Sequence, residues 1–263
     1  MRVALCISGQ PRNIDRGIEN ILQFFKFDFD VFSHSWWDNK SHNKTFKKIL
    51  PDASGFNFDN GVEDEVSELT QNDWISKLYD NFNVKKILTE EQKQFHIPQN
   101  FKDRVIKFSD TFVICSQLYS VHMCNELKKY YEEENGFKYD WVIRSRYDFG
   151  GSIPINLDEF NNDYIYAPND NSHKYGFNDQ FAIGSSKNMD IYSNVFPNIE
   201  SIIDSHHPNI YTANYCTEPD NVGTETILQR HLDNNNVKFK LLDFKNFLFR
   251  VKDRRSRIHS IEG

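Results

Sequence analysis

At 263 residues, 38% hydrophobic and 15% aromatic, the chain has enough apolar surface for one large core or two intimate subdomains, and this composition excludes a disordered polymer. A formal net charge of −7 argues against general nucleic-acid binding, which needs a cationic face to displace counterions, though it leaves room for a local basic groove. Four cysteines without CxxC spacing read as reduced, mostly buried thiols of a cytoplasmic protein; no apolar run approaches the roughly 20 residues that span a bilayer, and the opening MRVALCISGQP turns polar too early for a signal peptide.

In chain order, RVALCIS is an apolar run without turn residues, the pattern of a buried parallel strand. GQPRN breaks it, and Asp15 is positioned to cap a helix whose apolar stripe is Ile18, Ile21, Leu22 and Phe25. FDVFSHSWW is a second strand, so the order predicts a βαβ unit. From Asp38 to about Asn72 the chain is polar and irregular. NDWISKLYDNF predicts a short helix and VKKILTE a strand. TFVICSQLYSVHMCNELKKYYEEENG predicts a long helix with Leu118, Val121, Cys124, Leu127 and Tyr131 on one stripe, ended by Asn135-Gly136. The strand YDWVIRS follows. DYIYAPND and DQFAIGSS read as strands, MDIYSNVF as a helix, GTETILQRHL as a helix with Thr224 as its cap, and VKFKLLDF as a half-exposed strand.

Chemistry gathers where these strands end, the place at which open α/β sheets bind ligands. The first strand ends in Ser8, Gly9 and Arg12, and the second in His34 and Trp36. The strand in YDWVIRSRYDFGG ends with Arg144, Arg146 and Asp148 on alternate positions, which share one side of the chain. Arginine clamps phosphate oxygens through paired hydrogen bonds, and carboxylates suit a hard divalent cation, so the group suits a metal-bound diphosphate. The competing reading is an arginine–aspartate ion pair that only closes the strand end. Likewise SGQPR alone is an ordinary turn, Trp36-Trp37 alone is packing, and His122 and His206-His207 read as packed or surface residues. Asp179 precedes a strand that ends in Gly184, and Glu225 lies in the first turn of a helix, where the dipole favours its ionised form.

The succession ISGQPRN, DVFSHSWW, YDWVIRSRYDFG, NDQFAIGSS and GTETILQRHL resembles small GT-A-type glycosyltransferases of large DNA viruses, phages and bacterial polysaccharide loci, over residues 1 to about 245. The resemblance implies an α/β fold, a single GT-A-like (Rossmann-like) domain with a mostly parallel central sheet flanked by helices. Its 1–150 half would bind a nucleotide-sugar, 151–245 would form the acceptor half, and 246–263 is a basic tail. It implies transfer of a sugar from a nucleoside diphosphate donor to a hydroxyl of a glycan or related acceptor, with Mn²⁺ or Mg²⁺ as cofactor. Carried over by position, Asp148 matches the last aspartate of the DxD motif, Gly184 the glycine loop, Glu225 the acidic motif and His259 the C-terminal metal histidine. Arg146 stands where the first acidic residue of DxD belongs, and no aspartate follows Glu225, so Asp179 and Glu225 compete for the role of base. Ser8, Gly9, Arg12, Arg144, Arg146 and Gly184 are expected to hold the donor. Arg254 and Arg257 of the tail join them, His34 and Trp36 are expected on the acceptor side, and Asp148 with His259 at the metal. The rival functions are a non-catalytic nucleotide- or glycan-binding module and a glycosyltransferase of modified DNA, the latter favoured by RVKDRRSR alone.

Overall fold

A computed structural model describes residues 1–11, 13–37, 70–105, 110–151, 155–169, 176–204, 222–243 and 246–248. The strands are β1 (Val3–Gly9), β2 (Asp30–Trp36), β3 (Asn83–Glu90), β4 (Trp141–Ser145), β5 (Phe149–Gly151), β6 (Tyr164–Pro168), β7 (Ala182–Gly184), β8 (Lys238–Leu242) and β9 (Asn246–Leu248). The helices are α1 (Ile14–Phe24), α2 (Gln71–Asn81), α3 (Gln99–Arg104), α4 (Thr111–Asn135), α5 (Ser186–Ser193), α6 (Val195–Asp204) and α7 (Thr224–Asn234).

Seven strands form one sheet in the order β3-β2-β1-β4-β7-β6-β8. β1, β2, β3 and β4 pair in parallel, as do β6 and β8; β7 alone is antiparallel to both its neighbours. With helices on both faces, this is the α/β, mostly parallel, Rossmann-like architecture that the sequence leads one to expect. β1 sits between two parallel partners, which explains its apolar run: Val3, Leu5 and Ile7 join the core under α1 and α2, while Ala4 and Cys6 join the core under α4 to α7. Cys6, Cys115 and Cys124 are free, buried thiols, and the Cys124 thiol lies against the carbonyls of Ile7 and Phe32. Among the described residues no helix is long and apolar enough to cross a membrane.

α4 runs as expected, opened by Asp110, whose carboxylate accepts from the amides of Phe112 and Val113, and closed by Gly136 at φ 67°. Three local expectations are corrected. Asn13, in the left-handed region, caps α1; Asp15 lies in its first turn and takes an ion pair from Lys77 at 2.6 Å. Gly223, not Thr224, is the cap of α7. The segment from Met189 onward forms two helices, α5 and α6, that meet at Asn194.

Two features place the strand ends. At Gly17 a side-chain carbon would lie 1.7 Å from the Tyr147 carbonyl oxygen, so only glycine lets α1 lie directly on the turn that follows β4. β9 pairs antiparallel with β5, which sets Leu248 opposite Phe149, the residue after Asp148.

Candidate functional site

β1, β2 and β4 end at one edge of the sheet, and α4 covers the face they share. The pairing of Cys6 with Arg144 and of Ser8 with His34 puts Ser8, His34 and Arg144 on that face, with Arg146 one step beyond the end of β4. β7 runs the other way, so its beginning, not its end, reaches this edge: Ala182 pairs with Arg144, and Asp179 lies just outside. The Arg144 guanidinium is buried and donates through Nη1 to the carbonyl of Gln180. Burial holds its pKa below the usual arginine value, with Tyr192 and Asp179 acting in the opposite direction. Asp179 is only 9% exposed, and Gln117 of α4 donates to its Oδ2.

Three buried polar atoms here lack a hydrogen-bond partner among the described residues: Ser8 Oγ, Arg144 Nε and Asp179 Oδ1. One is a donor, one an acceptor and one both. Buried polar groups are nearly always paired, so three orphans on one edge are where a bound polar molecule would be satisfied.

Arg146 and Asp148 form a two-bond fork, Nε to Oδ1 at 2.7 Å and Nη2 to Oδ2 at 2.9 Å. The Arg146 side chain keeps 22% exposure against 2% for Asp148. Burial acts to lower the Arg146 pKa, but the charge and hydrogen bonds of Asp148 together with the charge of Asp179 outweigh it and hold it raised. The ion-pair reading of the strand end is therefore realised for Arg146, while Arg144 turns to the Gln180 carbonyl. Among the described residues no three His, Cys, Asp or Glu side chains gather as a metal site. Among the described residues, which do not include His259, the carboxylate at the DxD position is bound on both oxygens by an arginine, and this described donor set does not fit the divalent cation the resemblance implies.

Glu225 is held near Asp179 through the backbone: the Phe177 amide donates to the Glu225 carbonyl at 3.2 Å. A side-chain carbon on Gly176 would fall 2.2 Å from that carbonyl oxygen. Gly176→Ala is expected to push the 176–180 segment off α7, lower stability by about 1–3 kcal/mol and displace Asp179. A melting curve and a ligand-binding titration check this; an unchanged pair of values would show that the segment tolerates the shift.

Other expected site residues fall elsewhere. Gly184 is not at a ligand loop: the reversal of β7 carries it to the level of Val142, where a side-chain carbon would touch Ile165 and Met189. His34 and Trp36 are no acceptor surface. His34 is wholly buried, with Ser120 Oγ 2.7 Å from Nδ1 and Glu90 Oε2 3.0 Å from Nε2. Its pKa is lowered by burial, which outweighs Glu90. Trp36 stacks on Tyr119 and donates to the Ser116 carbonyl. The serine–histidine–glutamate order is that of a nucleophile relay, but Ser120 is buried on α4 with its hydroxyl bonded to His34, and the chain of bonds braces β2 against α4. Gly9 lies at the edge with φ 121° and open space where a side chain would be. Arg12, Arg254, Arg257, His259 and Cys216 lie outside the described residues. Gln117 was not singled out from sequence; its signal was a cluster of polar positions, Ser116, Gln117 and Ser120, in the first turns of an otherwise apolar helix stripe.

The fold and site thus define a mixed α/β protein with buried polar groups gathered at the ends of its parallel strands. A family described as a domain of unknown function (DUF7796) matches residues 115–209, which run from α4 past the end of α6. No curated protein matches the chain. Among solved structures, the crystal structure of mouse xyloside xylosyltransferase 1, apo form, is similar with a TM-score of 0.41 and 12% identity, over 92% of this chain and 84% of that one. The functional reading rests on the site's own chemistry.

Proposed function

We propose that the protein is a glycosyltransferase that moves a sugar from a nucleoside diphosphate donor to a hydroxyl of a glycan or related acceptor. The observation that carries this reading is the set of orphaned atoms Ser8 Oγ, Arg144 Nε and Asp179 Oδ1 beside Arg146. A sugar hydroxyl both donates and accepts, so a single ligand group bridging Arg144 Nε and Asp179 Oδ1 satisfies both. A diphosphate accepts only, and suits the remaining guanidinium N–H groups of Arg146.

In the reaction the bond between the anomeric carbon and the phosphate oxygen breaks, and its electron pair leaves with the diphosphate. Guanidinium charge fixed beforehand in a dry cleft stabilises the leaving group most where charge develops. The acceptor oxygen bonds to the anomeric carbon and gives up its proton to a carboxylate. Asp179 is the base in this reading, since Gln117 holds one of its oxygens and the other has no partner; Glu225, tied to the same loop through its carbonyl, positions the acceptor.

Incubation with a panel of uridine, guanosine, cytidine and thymidine diphosphate sugars tests the reading. One donor is expected to raise the melting temperature by mass action and to release its nucleoside diphosphate slowly without acceptor. Binding without release would point to the binding module, which the Arg146–Asp148 pair at the DxD position favours; neither binding nor release would overturn the proposal.

A further inference from the structure

We infer that this site grips a diphosphate with the Arg146 guanidinium, locked in place by Asp148, where a divalent cation would otherwise stand. The inference rests on the glycosyltransferase reading above and specifies how that site meets its donor. Three observations support it. Both Asp148 oxygens accept from Arg146, at 2.7 and 2.9 Å. The arginine is the member of the pair that a ligand reaches, at 22% exposure against 2%. Arg144 is close enough to Arg146 for the two charges to oppose one another, so a dication on Asp148 would sit beside two guanidinium groups. Like charges at that separation repel strongly in a low-dielectric site.

The arrangement also explains why the aspartate is retained beside an arginine. Of the five guanidinium N–H groups, two are spent on Asp148 and three remain. The fork fixes the plane of the guanidinium, so the rotamer freedom of a long side chain is lost on folding and not on binding. Arginine recognises paired phosphate oxygens through two parallel hydrogen bonds, which a preset plane favours. The second carboxylate near the pair, Asp179, has one oxygen already held by Gln117.

The test is equilibrium binding of UDP, GDP, CDP and dTDP to the whole chain, in EDTA and in excess Mn²⁺. At least one nucleotide is expected to bind with affinities that agree within about threefold in the two conditions. Arg146→Ala should weaken it by about tenfold to a hundredfold, the size of a lost charge-assisted hydrogen bond or two. Because that variant strips the Arg146 fork from buried Asp148, Asp148→Asn is measured beside it: same-sized and uncharged, its Oδ1 still accepts one of the two fork bonds, so metal-free binding should be weakened but retained. Arg146→Asp, which removes the fork from Asp148 and adds a second carboxylate, should convert binding to Mn²⁺ dependence. Binding to the parent chain in Mn²⁺ alone would overturn this inference and leave the glycosyltransferase reading standing. Metal-free binding abolished by Asp148→Asn in a folded variant would also overturn it, since the carboxylate would then be the contact. No binding in either condition would overturn both.

Discussion

Asp179→Asn is expected to lower sugar transfer by about 10²-fold or more, the usual size of a general-base contribution, with donor affinity nearly intact. The substitution keeps the size of the side chain and removes only its capacity to take a proton. The bond to Gln117 survives in kind, because the asparagine oxygen accepts from Gln117 Nε2 as the carboxylate does. The loop keeps its anchors as well, since the Gln180 and Phe181 amides both donate to Asn178 Oδ1. A fall in kcat without a matching rise in donor Kd identifies the base, whereas parallel losses in both identify a binding residue. Glu225→Gln serves as the control: it should affect acceptor KM more than donor binding. Full turnover by Asp179→Asn would remove Asp179 from the chemistry.

The largest effect on stability is expected at a buried charge network in the second half of α4. Lys128 of α4 is wholly buried, 2.6 Å from Ser186 Oγ, 2.7 Å from Asp190 Oδ1 and 3.3 Å from Glu132 Oε2. Glu132, also wholly buried, accepts in addition from Ser186 Oγ, the Tyr139 amide and Lys138. The network ties α4 to α5 and to the start of β4, and so sets the register of the helix over the strand ends. Lys128→Met should cost about 3–5 kcal/mol, because it strands buried carboxylate charge. Adding Glu132→Leu should recover a large part of that loss, since an apolar pair of similar volume needs no partner. Chemical denaturation of the parent and these two variants checks this; a loss under about 1 kcal/mol in Lys128→Met would show that water reaches the network. Burial alone would raise the Glu132 pKa, but its hydrogen bonds from Lys138, Ser186 and Tyr139 outweigh burial and hold it below the usual 4.5. Its folded pKa is thus below its unfolded one, so the contribution is present above pH 4.5 and is lost as pH falls through the folded value.

Local pattern carried much of the fold. The apolar run of β1, the stripe of α4 and the strand-ending clusters of Ser8 and Arg144 to Asp148 all stand where periodicity puts them, because strand and helix periods are properties of the chain itself. The capping residues of α1 and α7 were misread for a related reason. Asp15 and Thr224 are good caps by composition, but the left-handed turn at Asn13 and the extended backbone at Gly223 start each helix one or two residues earlier.

Direction and pairing came from long-range contact. AIG reads as a strand in either orientation, and only its place between β4 and β6 reverses it; that reversal takes Gly184 into the core and brings Asp179 to the ligand edge. The three-residue strands β5 and β9 are nearly a hundred residues apart and have no signal of their own, since each is held by the other. Arg146 and Asp148 do meet, but through the turn after β4 and not through strand alternation, and which arginine would take the aspartate was not decided by spacing. The chain leaves β4 after Ser145 and turns under α1 at Gly17, which folds Asp148 back onto Arg146 and leaves Arg144 to the Gln180 carbonyl, in the segment that leads into β7. Residue type and period thus specify which groups reach the sheet edge, and strand order and direction specify which of them meet, because hydrogen bonds between distant segments exist only once the sheet has closed around them.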